Sequence, residues 1–376
     1  MLYSDNFSNL KTAPSRLGYG CMRFPTKDGK IDMEKTEALL DKAYASGVTY
    51  YDTAWFYHGG ESEIAVGKIM SKYPRDTYNL ATKLPMSIIT SRDHAVEIFA
   101  KQLEKLQTDH FDFYLLHCLD KNNWAKVKEM DILSLLDEYK AEGKIVNLGF
   151  SFHDEYQVFE EIATARKWDF CQIQYNYMDT EEQAGDKGYE LVKELGIPVV
   201  IMEPLRGGTL ANLPEDTTTK LREARPDASV ASWAMRWLIS KDNCKVILSG
   251  MTEMDQLEDN LKTFDAGEPL NDCEQQLVKD LATTLRARVF NGCTGCSYCM
   301  PCPAGVNIPK NFRIWNEYGM YGNRWGTVWN YFSNMDESAH ADHCVKCGAC
   351  EKACPQHINI REDLVRVSET MNSLKG

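Results

Sequence analysis

A chain of 376 residues with 42 Lys and Arg against 55 Asp and Glu, a formal charge of −13, has room for one large α/β domain and a small second one. That acidity argues against nucleic acid or an anionic membrane as its main partner. Residues 293–376 hold eight basic and eight acidic residues, so the whole negative excess falls on residues 1–292.

The opening MLYSDNFSNLKT has no basic segment followed by an apolar one, and no apolar run reaches the ~18 residues that span a bilayer; a soluble, cytoplasmic protein is expected. SRLGYGCMRF reads as a first strand, with Gly20, Cys21 and Met22 at its carboxyl end. Helix signals follow over residues 32–46, with Gly47 as the stop. VTYYDTA is the second strand, residues 61–70 are helical, and YNLATK is a third strand that closes on Lys83. Ser91 can cap a helix to about Leu106, its apolar face made of Ala95, Phe99, Leu103 and Leu106. DFYLLH is the fourth strand and closes on His117; residues 132–141 form the next helix, stopped by Gly143.

IVNLGFS, FCQIQYN and PVVIMEP are strands five to seven, separated by helices over residues 154–166 and 181–195. Residues 205–227, rich in Gly, Thr and Pro, read as a long functional loop that would line a substrate pocket together with Trp55. A helix over 228–239, the strand CKVILSG and a helix over 253–263 complete eight alternations. This count fits an α/β fold of the (β/α)8 barrel type; a doubly wound sheet is disfavoured because no G-x-G-x-x-G follows the first strand. The plan is then a barrel over 1–268, a linker helix over 269–292 and a small α-rich cysteine domain over 293–376.

Three strand ends carry candidate chemistry. Asp52 and Tyr57 follow the second strand, Lys83 ends the third and His117 ends the fourth, where the carboxyl ends of barrel strands build a site. A phenol, whose ordinary pKa is about 10, can donate a proton near neutrality when a fixed positive charge lies beside it. Each residue also has a bland reading, as mouth aromatic, structural ion pair or core histidine, but four together favour a site.

The runs D-T-A-x-x-Y, A-T-K and L-L-H, in this order, resemble the catalytic tetrad of the aldo-keto reductase superfamily over residues 15–265. The resemblance implies hydride transfer between NADH or NADPH and a small carbonyl or alcohol, without metal or flavin. Tyr57 would be the general acid, Lys83, held by Asp52, would lower its pKa, and His117 would orient the carbonyl. It also implies cofactor contacts from Gly20, Cys21, Met22, Asp52, Ser151, Gln174, Met202, Leu205, Gly207, Gly250, Gln256 and Asn260. Three positions depart from the family: Phe152 follows Ser151 where Asn is usual, Met202 replaces the tyrosine that stacks on nicotinamide, and Gly250 and Gln256 stand where a 2′-phosphate clamp is basic. With Glu258 and Asp259 nearby, NADH is expected over NADPH.

Eight of the 13 cysteines are clustered, which in a reducing compartment points to metal rather than disulfides. Cys293, Cys296, Cys299 and Cys302 stand three apart before Pro303, and Cys344, Cys347, Cys350 and Cys354 precede Pro355. The second run has the spacing of bacterial ferredoxins, in which the fourth cysteine reaches the other cluster, and the whole resembles a domain with two 4Fe–4S clusters. By that logic one cluster takes Cys293, Cys296, Cys299 and Cys354, the other Cys344, Cys347, Cys350 and Cys302. Two zinc sites are the alternative, disfavoured because zinc ribbons pair C-x2-C knuckles rather than three cysteines in one tight turn. The 41-residue spacer is longer than usual, and its Phe312, Trp315, Trp325, Trp329, Tyr331 and Phe332 are read as packing for a domain short on apolar core. The isolated Cys21, Cys118, Cys171, Cys244 and Cys273 are read as buried small hydrophobes.

Two functions follow: an oxidoreductase whose clusters exchange electrons with a ferredoxin or flavoprotein partner, or an electron-transfer or sensing protein whose barrel no longer turns over. A variant of the first is a cluster-fed reductase that uses no nicotinamide.

Overall fold

The computed structural model describes residues 1–4, 7 and 9–375. Eight strands, β1 (Leu17–Gly20), β2 (Tyr50–Asp52), β3 (Asn79–Leu84), β4 (Phe111–Leu119), β5 (Ile145–Phe152), β6 (Phe170–Gln174), β7 (Val199–Met202) and β8 (Cys244–Ser249), pair in parallel around a closed ring. Each follows its predecessor, and β1 closes the ring between β2 and β8. The strands are buried on both faces, which is why they read as near-continuous apolar runs rather than alternating ones.

Inward-facing Tyr50, Ala81, Phe113, Leu115, Phe170, Val200, Val246 and Leu248 fill the barrel, and Phe7 caps them, edge-on to Phe113 at 5.0 Å. The outward residues pack against the helices in a separate, larger layer. The barrel is thus a solid core, and truncating a ring such as Phe113 to alanine would cost about 3–5 kcal/mol. Local signals hold where they are chemical. The Ser91 hydroxyl accepts the His94 N–H at 3.1 Å and opens the helix Arg92–Leu106; Gly143 lies at φ 75 after Ile132–Ala141.

Several expectations are corrected. Residues 205–227 are not one irregular loop: Glu215–Ala224 is helical, with Glu215 and Asp216 in its first turn suiting the helix dipole, and Thr218 and Leu221 buried. An unforeseen helix, Lys121–Glu129, starts where Asp120 accepts the Asn123 N–H at 2.6 Å. The helix expected over 181–195 is shortened to Gly185–Glu194. Cys273 is exposed, and Cys118 half-buried, whereas Cys21, Cys171 and Cys244 are buried as expected.

The chain forms two compact units, Met1–Gly207 with Ala231–Asp272, and Gly208–Val230 with Cys273–Gly376. The segment after β7 belongs to the second unit, where Arg225 pairs with Glu274 at 2.5 Å and Arg288 with Asp216 at 3.3 Å. The expected linker helix is Asp272–Arg286 and is part of that unit from Cys273 onward. The second unit is richer in core than composition implied: Val306, Ile308, Phe312, Ile314, Trp315, Tyr331, Ile360, Leu364, Val367 and Met371 form one buried cluster. Of the spacer aromatics, Trp325 is 77% exposed and Trp329 49%, so these two are not packing residues. Among the described residues no helix is long and apolar enough to cross a membrane.

Candidate functional site

Parallel pairing levels the carboxyl ends of the strands, placing Asp52 beside Gly20 of β1 and Ala81 of β3. Lys83, two residues further along β3, reaches back: its Nζ lies 2.6 Å from Asp52 Oδ1, donates to Thr53 O at 2.8 Å and stands 3.4 Å from Tyr57 Oη. Lys83 is wholly buried and Asp52 nearly so, and a charge in such a place persists only when paired. Burial works against the ammonium, but Asp52 and then Tyr57 outweigh it and hold the Lys83 pKa above its ordinary value.

Tyr57 opens a tight 3-10 turn, with its N–H on Ala54 O at 3.1 Å and the next residue, His58, in the left-handed region at φ 52. Burial pushes its phenol up to about 12, while the Lys83 charge pulls it down. The expected lowering by Lys83 is therefore present but outweighed. Its consequence is a phenol that stays protonated across the neutral range, as a donor must.

His117 reaches the same place through an irregularity in β4, whose register on β5 shifts between Leu116 and Leu119 with Cys118 at φ 50. Its ring centre is 6.2 Å from that of Tyr57, nearly perpendicular, and 6.4 Å from Phe56, which is exposed. Burial, then Lys83, holds His117 down to about 3, so it is a neutral imidazole with one N–H to offer. The arrangement can present a neutral phenol and a neutral N–H to one oxygen, with a fixed ammonium behind the phenol.

Several supporting residues escaped the sequence reading. Gln172 Nε2 donates to Asp52 Oδ2 at 3.0 Å, so both carboxylate oxygens are held. Strand alternation could have found it, since Gln172 shares a face with Gln174. Beneath Lys83, the buried Glu63 accepts from Thr82 and from Gln102, both at 2.7 Å, and Gln102 also donates to the Lys83 carbonyl at 3.0 Å. Lys105 sits 3.4 Å from Glu63 and 3.8 Å from the Trp55 ring centre, which pins Trp55 at the mouth. No local pattern announces these contacts, because they join distant strands and helices.

The expected cofactor residues are distributed unevenly. Cys21 is buried and Met22 is 53% exposed; Cys21 O accepts from Ser62 at 2.8 Å. Ser151 Oγ accepts the Cys118 N–H at 2.9 Å, while Phe152 turns into the helix layer against Phe159, 5.1 Å between ring centres. Gln174 donates to Asp179 at 2.8 Å and accepts from Gln183 at 3.0 Å, leaving one amide proton and one lone pair for a ligand. Met202 pairs with Gln174 in register and is half-buried, and Leu205 is partly buried against the core. Gln256 is spent on capping, its Oε1 taking the Thr252 and Glu253 N–H groups at 2.9 and 3.3 Å. Asn260 is buried and donates to Ser249 at 3.0 Å. Gly207 (φ 66) and Gly250 both lie close under the side chain of Arg23, 3.1–3.3 Å from where a Cβ would stand. A backbone turn with a guanidinium over it suits a phosphate, so these residues fit a nucleotide.

In the second unit, Cys293, Cys296, Cys299 and Cys354 line one cavity, with Phe312, Pro355 and Ile360. Cys302, Cys344, Cys347 and Cys350 line another, to which Cys299 also contributes. Residues in the left-handed region, Gly295, Ser297, Lys346 and Gly348, wrap each run around its cavity. Among the described residues, no three His, Cys, Asp or Glu side chains converge as ligands of a single ion would. Four thiols spread around a cavity fit a cubane better than a zinc ion.

Residues 16–282 match the aldo/keto reductase family, and residues 292–358 match a 4Fe-4S dicluster domain. An NADH-specific methylglyoxal reductase of Escherichia coli (strain K12) is 24% identical over 324 residues, 72% of this chain and 95% of that protein. A probable voltage-gated potassium channel subunit beta of Oryza sativa subsp. japonica is 24% identical over 294 residues, 67% of this chain and 88% of that one. Among solved structures, the holo form of aldo-keto reductase AKR11C1 from Bacillus halodurans is similar with a TM-score of 0.63 and 26% identity, covering 75% of this chain and 96% of that chain. The thermostable aldo-keto reductase Tm1743, in complex with epalrestat, gives a TM-score of 0.62 and 25% identity over 75% and 100%. The chain therefore belongs to the aldo/keto reductase family, on an eight-stranded parallel barrel followed by a 4Fe–4S ferredoxin-type domain.

Proposed function

We propose that the barrel interconverts a small carbonyl compound and its alcohol, with Tyr57 giving and taking the oxygen-bound proton. The observation that carries this reading is the Lys83 ammonium, clamped by Asp52 at 2.6 Å and poised 3.4 Å from the Tyr57 oxygen. As charge develops on the substrate oxygen, the phenol releases its proton toward it and the ammonium steadies the phenolate left behind; the His117 N–H holds the oxygen from the side. NADH or NADPH would supply the hydride. The neutral Gly250 and the capping role of Gln256 support NADH, as does the name of the E. coli relative. Phe56 and Trp55 give the mouth an apolar wall, compatible with a bulky apolar or cyclic carbonyl compound.

The two thiol-lined cavities are proposed to hold two 4Fe–4S clusters, one on Cys293, Cys296, Cys299 and Cys354 and the other on Cys344, Cys347, Cys350 and Cys302. Such clusters carry single electrons, and a ferredoxin or flavoprotein is the partner class that exchanges them. Anaerobic titration of the iron-loaded protein with NADH, then separately NADPH, tests the reading through protein fluorescence and visible bleaching. Saturable binding supports it, bleaching adds a path between nucleotide and clusters, and failure of both nucleotides to bind removes the nicotinamide step.

A further inference from the structure

The two thiol-lined cavities differ in charge. The cavity of Cys293 and Cys354 is closed by Phe312, Ile358 and Ile360, and among the described residues no Lys, Arg, Asp or Glu lines it. The cavity of Cys344 and Cys347 is lined by two cations, Lys346 and Arg361, and among the described residues by no carboxylate. Lys346 is exposed, whereas Arg361 is held in one orientation.

Arg361 stands at the start of the helix Ile360–Lys375, and Glu351, in the short helix Ala349–Ala353, fixes it by both carboxylate oxygens. Glu351 Oε1 accepts the Arg361 backbone N–H at 2.9 Å, and Oε2 takes Nε and Nη2, both at 2.8 Å. The third guanidinium nitrogen, Nη1, has no hydrogen-bond partner among the described residues. With Cζ it lies 3.6 Å from where a Cβ on Gly348 would stand, over the turn between Cys347 and Cys350. Gly348, in the left-handed region at φ 77, has no side chain to fill that space. The ion pair therefore presents its positive end to the cavity, and Nη1 keeps two N–H groups for sulfur. A cubane that takes up an electron becomes one charge more negative, so a fixed cation nearby favours its reduced form, and a hydrogen bond to its sulfurs acts in the same direction. The uncharged cavity has no such cation.

We infer that Arg361, oriented by Glu351, makes the cluster on Cys302, Cys344, Cys347 and Cys350 the higher-potential member of the pair, the one on which a single electron comes to rest. This rests on the proposed 4Fe–4S clusters. The pair is then unequal by construction, and an electron that enters at either cluster settles beside Arg361.

The test is an anaerobic titration of the iron-loaded protein with dithionite and mediator dyes, followed by visible absorbance and electron paramagnetic resonance. Wild type is expected to show two one-electron waves, and Cys350→Ser to remove the upper one. Arg361→Gln should weaken electron uptake in the upper wave about threefold to tenfold, a downward shift of about 30–60 mV, and leave the lower wave in place. Arg361→Lys keeps the charge but loses the planar fork, and should recover part of that shift at the same iron content, which separates a lost cation from a lost cluster. Lys346→Gln, an exposed change, should lower the same wave by less and needs no alteration at Arg361. Two waves of equal potential, loss of the lower wave in Cys350→Ser, or an Arg361→Gln shift that is absent, falls on the lower wave or falls equally on both overturns the assignment and leaves the clusters standing. Iron-loaded wild type without any wave overturns the cluster reading and this inference with it.

Discussion

The two thiol-lined cavities and the group of Asp52, Tyr57, Lys83 and His117 hold their polar side chains in opposite ways. At the barrel mouth the charges come from strand ends that the ring fixes, and Lys83, Asp52, Gln172 and Thr53 satisfy one another. In the second unit seven of the eight cysteines lie on irregular segments and Cys350 in the short helix Ala349–Ala353, each half-buried or exposed, beside a helical core that does not include them as fully buried members. One site is held by contacts between its own side chains; the other presents thiols on segments that the core holds less tightly.

That contrast can be broken from its weaker side first. Stripping iron with a chelator should loosen the two cysteine segments, seen as new proteolysis within 293–302 and 344–354, while the barrel's thermal transition stays in place. Cys350→Ser should lower iron content by about half and leave the barrel untouched. Concerted collapse of both units on iron loss would contradict the comparison. Next, Asp52→Asn leaves the buried Lys83 charge unpaired and should destabilise the barrel by about 3–5 kcal/mol, measured by denaturant unfolding. Gln172→Leu keeps the pair but frees one carboxylate oxygen, and should lower kcat by about tenfold with little change in KM.

A further effect is on pH dependence, and near neutrality it is the smallest. His117 is held down to about 3 from 6.5, so the unfolded chain takes up a proton that the folded barrel refuses in between. Stability is unaffected above about 6.5 and declines as pH falls from there toward about 3. His117→Gln should make that decline shallower in urea unfolding; an identical slope would mean that the imidazole is free to charge.

The sequence made the barrel legible because its strands are apolar on both faces and its helices carry chemical punctuation, as at Ser91 and Gly143. The tetrad was legible because four residue types fall at strand ends in one order. What stayed hidden was either cooperative or local. Glu63, Gln102 and Thr82 meet only through tertiary packing. The helix Glu215–Ala224 lay in a stretch whose Gly, Thr and Pro content favours loops, and the buried Thr218 and Leu221 outweigh it. Composition also understated the second unit, whose core comes from residues spread between 306 and 371.

The central claim is that Tyr57 is the proton donor whose charge Lys83 steadies. Its most direct test is a single turnover of NADH-loaded enzyme with methylglyoxal as probe, following nicotinamide absorbance in wild type and Tyr57→Phe. The account predicts unchanged NADH affinity and hydride transfer slowed about 10²- to 10⁴-fold. Transfer at the wild-type rate in Tyr57→Phe would contradict it.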